Sequence, residues 1–322
     1  MKDQYNRIID YLRISITDKC NLRCQYCMPE EGMAYIPHQN ILRFEEITRL
    51  VEIFTGMGVR KLKITGGEPF VRRGVEDLIP MLYEIQGIDQ LTITTNGIKD
   101  DLLLSLSKYF SGINISLDTL DQDKYKEITR YGELHHPLRA LEKLLEQGHK
   151  NVKINMVPIR GFNEDELIDF AYIAKESPLK IRFIELMPIG CGKDFQGLSE
   201  NEILTTLNSE FGEPIPMAYR SNGPATYFTY PGFQGALGFI RGVDHHFCHQ
   251  CNRVRLTAEG FLKTCLGFSK GIDLGNLIKN GAKDWEIEKA IEKALQEKPL
   301  ENQFDNFIVE GKEIKNMNQI GG

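Results

Sequence analysis

The chain has 322 residues and a mass of 36.8 kDa, enough for one large domain or two ordinary ones. Its 41% hydrophobic and 26% charged residues lie near the globular average, which excludes disordered and fibrous classes. A net charge of −6, from 39 Lys+Arg against 45 Asp+Glu, argues against a general nucleic-acid or membrane-surface binder but leaves room for a local basic pocket. No apolar run approaches the roughly 20 residues that span a bilayer. Met1, Lys2, Asp3, Gln4 and Tyr5 offer no apolar signal-peptide stretch. A soluble, cytoplasmic protein is expected.

Short runs rich in Ile, Val, Leu and Thr, at 11–17, 61–65, 91–95, 113–117, 152–157 and 181–187, read as strands. Between them come helical patterns. Residues 44–54 place Phe44, Ile47, Leu50, Val51, Ile53 and Phe54 close to a 3.6-residue period, and 138–145 and 167–174 behave alike. Gly58, Gly87, Gly112 and Gly148 stand where helices should stop, as does Pro178 before the sixth strand. Strand–helix alternation implies parallel strands joined by right-handed crossovers. Six such units fit a doubly wound sheet or an incomplete barrel. Nearly every strand ends in polar or special residues, among them Thr17-Asp18-Lys19-Cys20, Thr65-Gly66-Gly67-Glu68, Thr94-Thr95-Asn96-Gly97 and Ser116-Leu117-Asp118. Chemistry in a βα barrel collects at those ends, which favours the barrel. After residue 213 the pattern changes. Pro214, Pro216, Pro224 and Pro231 interrupt it, aromatics recur through 219–239 as in short hairpins, and a helix is expected at 284–297. The expected fold is therefore α/β: an incomplete (β/α)6 TIM-like barrel over 1–213, with a smaller C-terminal domain over 214–322 closing its open side.

Seven cysteines in a chain of this kind do not form a disulfide framework, because a cytosol keeps thiols reduced. They group as Cys20, Cys24 and Cys27, then Cys248, Cys251 and Cys265, with Cys191 alone. Cys20-x3-Cys24-x2-Cys27 puts three thiolates in one short loop directly after the first strand, enough to wrap three irons of a [4Fe–4S] cube. Zinc usually takes four closed ligands, commonly as two separated pairs. The second set reads equally as such a cluster or as a Cys3His zinc site completed by His245, His246 or His249. Arg253 and Arg255 alternate by two, so on a strand they share a face. That face suits a polyphosphate, or is merely solvated. Cys191, in a glycine-flanked loop, reads as a free thiol.

The first cysteine set, with Tyr26 before its last member, resembles the radical S-adenosylmethionine signature, and Thr65-Gly66-Gly67-Glu68-Pro69 resembles that superfamily's glycine-rich motif. Cys248-x2-Cys251-Asn252-Arg253-x-Arg255-Leu256-Thr257, then Cys265 and Ile320-Gly321-Gly322, narrows the resemblance to the GTP 3′,8-cyclase family of molybdenum cofactor biosynthesis, from Leu12 to Gly322. The resemblance implies a lyase with two [4Fe–4S] clusters, the second in an iron–sulfur C-terminal domain, and with S-adenosylmethionine. A deoxyadenosyl radical would take the C3′ hydrogen of GTP, and C3′ would then bond C8 of guanine. By position, Tyr26, Gly67, Ser116 and Met187 match S-adenosylmethionine contacts. Arg13, Lys61, Lys63, Thr94, Lys153, Arg182, Arg253 and Arg255 match GTP-site positions. Lys63 stands where Arg is usual, keeping the charge but losing the bidentate fork. Family members insert the tail carrying Gly321 and Gly322 into the active-site cavity. The implied partners are GTP, an external one-electron donor and the next pathway enzyme, cyclic pyranopterin monophosphate synthase. The chain would act as a monomer or homodimer, with no nucleic acid and no membrane.

Overall fold

The computed structural model describes residues 1–218, 223–243, 247–302, 304, 313 and 315–321. Twelve strands run in chain order as β1 (Tyr11–Ser15), β2 (Lys61–Thr65), β3 (Gln90–Thr95), β4 (Gly112–Ser116), β5 (Val152–Met156), β6 (Lys180–Ile184), β7 (Ile215–Met217), β8 (Thr226–Thr229), β9 (Ala236–Ile240), β10 (Arg253–Leu256), β11 (Phe261–Lys263) and β12 (Gly271–Asp273). The helices are α1 (Phe44–Gly56), α2 (Val75–Tyr83), α3 (Asp100–Leu106), α4 (Gln122–Thr129), α5 (His135–Glu146), α6 (Leu167–Glu176), α7 (Glu200–Phe211), α8 (Leu274–Lys279), α9 (Asp284–Gln296) and α10 (Met317–Ile320). The six expected strands are β1 to β6, mutually parallel and in sequential order, as an incomplete (β/α)6 barrel requires.

The strand ladders stop sooner than the apolar runs do. β1 ends at Ser15 because Thr17 turns the chain, accepting from the Ser15 hydroxyl through its carbonyl and from the Lys19 N–H through its own hydroxyl. β6 ends at Ile184, after which Glu185 N–H still reaches the Ile240 carbonyl at 3.0 Å. Gly112 opens β4 rather than stopping a helix. Gly58, Gly87 and Gly148 do take the left-handed conformation expected of helix ends. Among the described residues, six helices lacked a strong sequence signal, α8 and α10 because they have only six and four residues. α2 carries Pro80 inside it, α3 has seven residues, α4 is strongly polar, and α7 depends on a capping box between Ser199 and Glu202.

The sheet does not stop at residue 213. β9 pairs in parallel with β6, Leu237 opposite Ile181, and β10 pairs in parallel with β1, Val254 opposite Leu12. Antiparallel β8–β7 and β11–β12 finish the two edges. The C-terminal segments thus add to both ends of one twelve-stranded sheet, which remains an open ring from β12 to β7.

Parallel strands covered on both faces usually read as continuous apolar runs. Here they alternate. Leu12, Ile14, Leu62, Ile64, Ile93, Ile113, Ile115 and Ile154 are buried in one continuous core with the helices. The residues between them, Arg13, Lys63, Thr92, Thr94, Asn114 and Lys153, line an interior cavity. Pairing sets these polar residues in rows, Arg255–Arg13–Lys63–Thr92 and then Thr94–Asn114–Lys153. The helices hold the sheet from outside, and the inside is left for chemistry.

This division predicts unequal responses on the two faces. Leu62→Ala, at a site with no solvent exposure, should cost about 2–5 kcal/mol. Thr92→Ala, on the cavity face with a 3.3 Å bond to the Leu62 carbonyl, should cost about 1 kcal/mol. Urea-unfolding midpoints of the two variants under anaerobic conditions test the difference.

Candidate active site

Both cysteine sets open into the same cavity, which has a volume of about 370 Å³. Cys20, Cys24, Cys27, Cys248, Cys251 and Cys265 all line it. So do Arg13, Lys61, Lys63, Thr94, Lys153, Arg182, Arg253 and Arg255, and so do Tyr26, Gly67, Ser116 and Met187. Cys191 is not among the lining residues; its N–H donates to Asn316 Oδ1 at 3.1 Å. His249 is exposed and is not among the residues lining the cavity, while His245 and His246 lie outside the described residues.

The first set sits on the loop after β1, and the loop after β2 fixes its shape. Gly67 N–H donates to the Thr17 carbonyl at 2.7 Å, and Glu68 N–H to the Lys19 carbonyl at 2.8 Å. A Cβ on Gly67 would stand 2.3 Å from the Lys19 oxygen and 2.8 Å from that of Asp18, so only glycine lets the two loops approach this closely. The Glu68 carboxyl accepts from Thr95 Oγ1 and Asn96 N–H at 2.7 Å and from Phe70 N–H at 3.1 Å, tying the loop to the end of β3. Burial raises Glu68 to about 7 against those bonds. Burial likewise lifts Asp118 to about 6, although Tyr26 OH donates to it at 2.7 Å and Val157 N–H at 2.9 Å. Cys20 and Cys27 are pushed up to about 12, chiefly by burial, with repulsion from Glu68 on the first and from Cys20 on the second. Three crowded thiols beside two carboxyls ionise only when a cation joins them.

The cavity walls between the two sets are cationic. Lys63 donates to Thr94 Oγ1 at 3.5 Å, Lys153 to Asn151 Oδ1, and Arg182 to Asn114 at 2.5 Å and Asn155 at 2.8 Å. Lys61 differs, being paired with Asp10 at 2.7 Å. Arg253 lies over the Phe247 ring, 4.6 Å from its centroid. Burial lowers Lys63 well below its usual range, and Arg182 and Arg13 lower it further. Burial, then Arg182 and Lys180, brings Lys153 to about 7, and burial with Tyr11, Arg253 and Arg182 nearby leaves Arg13 at about 10. Cations packed on one another in low dielectric call for a polyanion.

At the second set, Cys248 Sγ accepts from Asn302 N–H at 3.4 Å and Nδ2 at 3.5 Å. Burial would raise Cys251, but Lys298 and Arg253 outweigh it and hold the thiol at about 6. The tail reaches the same region. Arg255 donates to the Gly321 carbonyl, Asn318 Nδ2 donates to the Asp18 carbonyl at 3.1 Å, and Asn318 and Ile320 are buried. Gly321 has φ +75° and lies against β1 and β2, where an added Cβ would stand 2.8 Å from Thr65 Oγ1. Gly322 lies outside the described residues.

The donor spacing bears on which metal fits. Tetrahedral zinc with bonds of about 2.3 Å gathers its sulfurs to about 3.8 Å from one another. Among the described residues neither cysteine triad has all its sulfurs within 4.8 Å. Wider spacing and three soft thiolates per set suit an iron–sulfur cube, which shares its charge over a larger core. The Gly67 cradle and the neighbouring carboxyls suit an ammonium-bearing ligand on the first. Sequence reading placed Asp118 at a strand end but gave it no role, and had not singled out Asn114, Asn155, Phe247 or Asn302. Asn114 and Asn155 were detectable as polar residues at alternate positions of apolar strands; Asn302 carried no local signal.

Residues 14–171 match the family model described as Radical SAM superfamily, and residues 179–304 that described as Molybdenum Cofactor Synthesis C. The chain is 45% identical over 329 residues to a GTP 3′,8-cyclase of Clostridium perfringens (strain 13 / Type A) and 43% identical over 327 residues to that of Syntrophomonas wolfei subsp. wolfei, with 100% of both chains covered in each case. The crystal structure of Streptococcus suis SuiB bound to S-adenosylmethionine is similar in fold, with a TM-score of 0.60 at 16% identity over 84% of this chain and 64% of SuiB.

Gly67→Ala tests the cradle. The forced shift of Lys19 should displace Cys20, so that iron falls from about eight per chain toward about four, ~4 per cube, while the second set keeps its share. Iron and sulfide analysis of the reconstituted variant measures it; full loading would show that the close approach is dispensable.

Proposed function

The chain belongs to the GTP 3′,8-cyclase family, and from that premise we propose how its own residues convert GTP to (8S)-3′,8-cyclo-7,8-dihydroguanosine 5′-triphosphate, the first step of molybdenum cofactor biosynthesis. The observation that carries the reading is the single cavity shared by two cysteine triads and a cationic wall. Cys20, Cys24 and Cys27 hold one [4Fe–4S] cluster, and Cys248, Cys251 and Cys265 the other. When bound, the first cluster and S-adenosylmethionine supply the 5′-deoxyadenosyl radical that removes the C3′ hydrogen of GTP.

The residues around that chemistry bind, orient and exclude water. Gly67 and Glu68 hold the loop that cradles the methionine end, and Tyr26, Ser116 and Met187 line the same side. Arg13, Lys63, Lys153, Arg182, Arg253 and Arg255 take the triphosphate, whose charge offsets their mutual repulsion, with Lys61 and Thr94 beside them. Phe247, with Arg253 over its ring, helps hold the guanidinium in place. Anchoring GTP on this wall sets the sugar between the two cysteine sets, which converts an encounter of radical and substrate into a fixed approach. Met187, Ile240, Leu266 and Met317, with other apolar lining residues such as Leu22 and Phe304, keep water from the radicals. Gly321, bonded to Arg255, brings the tail into contact with this wall. Cys191 stays a free thiol. The domain division at 213/214, an external one-electron donor, hand-over to cyclic pyranopterin monophosphate synthase, a cytoplasmic location and a monomeric or homodimeric state complete the proposal. No helix among the described residues is long and apolar enough to cross a membrane.

Anaerobically reconstituted protein given GTP, S-adenosylmethionine and dithionite should yield the cyclised nucleotide and 5′-deoxyadenosine, identified by mass spectrometry; deoxyadenosine without cyclised product would count against GTP as substrate. In the same system Arg253→Ala and Arg255→Ala should each weaken GTP binding by about 10- to 150-fold, since a charge-assisted bond contributes roughly 1.5–3 kcal/mol.

The lowered lysines also set a pH dependence. Lys153 sits near 7 when folded against an ordinary 10.5. Between those values the unfolded chain binds more protons, so the ligand-free fold gains stability as pH rises through that window. Triphosphate reverses the preference by favouring the ammonium. GTP binding above about pH 7 should therefore take up protons and weaken as pH increases. Titration calorimetry in buffers of different ionisation enthalpy reads the uptake directly, and a result of no proton exchange at pH 8 would remove Lys153 from the phosphate site.

A further inference from the structure

Behind the second cysteine set lies a group of buried charges that the chemistry above does not use. Arg7 and Asp3 come from the segment before β1, and Lys298 from the chain after α9. All three are nearly solvent-free, Lys298 at 2% exposure. Arg7 Nε pairs with Asp3 at 2.6 Å, and its two terminal nitrogens donate at 2.7 Å to the carbonyls of Cys248, Pro299 and Leu300. Lys298 Nζ donates to the Arg253 carbonyl at 3.0 Å and to that of Thr264. Thr264 directly precedes Cys265, and Arg253 follows Cys251 by two. Two buried cations thus grip the backbone at, or within two residues of, all three cysteines.

Such a pair is costly in a core unless an anion lies close. Among the described residues, the Lys298 ammonium bonds two carbonyl oxygens and no carboxylate, and the nearby anion is the thiolate set itself. The first set has the opposite surroundings, with the carboxyls of Glu68 and Asp118. Hydrogen bonds and charge outside the ligands fix the ligands' geometry and tune a cluster's potential. We propose that Arg7 and Lys298 are positioning residues of the second cluster. Their bonds hold its three cysteines in register across segments far apart in sequence, and the Lys298 charge, which no carboxylate among the described residues offsets as Asp3 offsets Arg7, favours its reduced form over that of the first cluster. The inference rests on the two-cluster reading above.

Three variants of the full-length protein, reconstituted anaerobically, test it by iron analysis and electron paramagnetic resonance during a redox titration. Lys298→Gln keeps a donor and loses the charge. It should hold about eight irons, with ~4 per cube, and show a more negative midpoint potential for the second cluster alone. Lys298→Met and Arg7→Met lose the bonds as well. They should fall toward about four irons while still forming 5′-deoxyadenosine from S-adenosylmethionine, because the first cluster is untouched. If circular dichroism shows that the methionine variants do not fold, the potential of Lys298→Gln decides. Full iron loading in all folded variants with an unmoved second potential would overturn the proposal. About four irons in the wild-type protein would instead sink the two-cluster reading itself.

Discussion

The structure turns on the alternation of its parallel strands. An ordinary barrel fills its interior with aliphatic layers, and burial on both faces stabilises the sheet. Here Leu12, Leu62 and Ile154 still build the outer core, but their neighbours Arg13, Lys63 and Lys153 face inward. The inner face therefore contributes little hydrophobic stabilisation and carries buried charge, with burial first and mutual repulsion second lowering Lys63 and Lys153. The outer shell of helices supports that cost, and a bound polyanion would relieve it. Stability and substrate binding are linked through the same side chains.

A second consequence concerns how the two cysteine sets come to share one cavity. They are separated by more than two hundred residues of chain, yet each is placed beside β1. The first follows β1 directly. In the second, Cys248 and Cys251 precede β10 and Cys265 follows β11, and the parallel pairing of β10 with β1 sets Arg253 opposite Tyr11 and Arg255 opposite Arg13. One strand thus anchors both cysteine sets and two cavity-lining arginines. A shift of one residue in that register would turn Arg253 and Arg255 into the apolar layer and bring Val254 to the cavity.

The two sets also differ in charge. Carboxyls and crowded thiols surround the first, while cations and amide donors surround the second. The tail connects these environments. Asn318 N–H donates to Cys27 and its side chain to Asp18, and Gly321 meets Arg255. Contacts made by Asn318 and Gly321 therefore span from one cysteine loop to the wall beside the other.

Much of this was legible in the sequence because the signals are local. Three cysteines within one loop, glycines directly after a strand, and Arg253 with Arg255 two apart each declare their chemistry through spacing alone. The six parallel strands follow from short β-branched runs between helical periods. Tertiary structure decided what spacing cannot encode. That β9 and β10 join opposite edges of one sheet depends on pairing across long stretches of chain. That Asp118 meets Tyr26, Asn302 meets Cys248, and Arg7 and Lys298 stand behind the second cysteines depends on contacts between residues distant in sequence, each ordinary where it stands in the chain. Covalent spacing fixes which atoms can bind a metal; only packing brings together the buried charges and donors that set its geometry and potential, because those interactions act through space and leave no periodic trace.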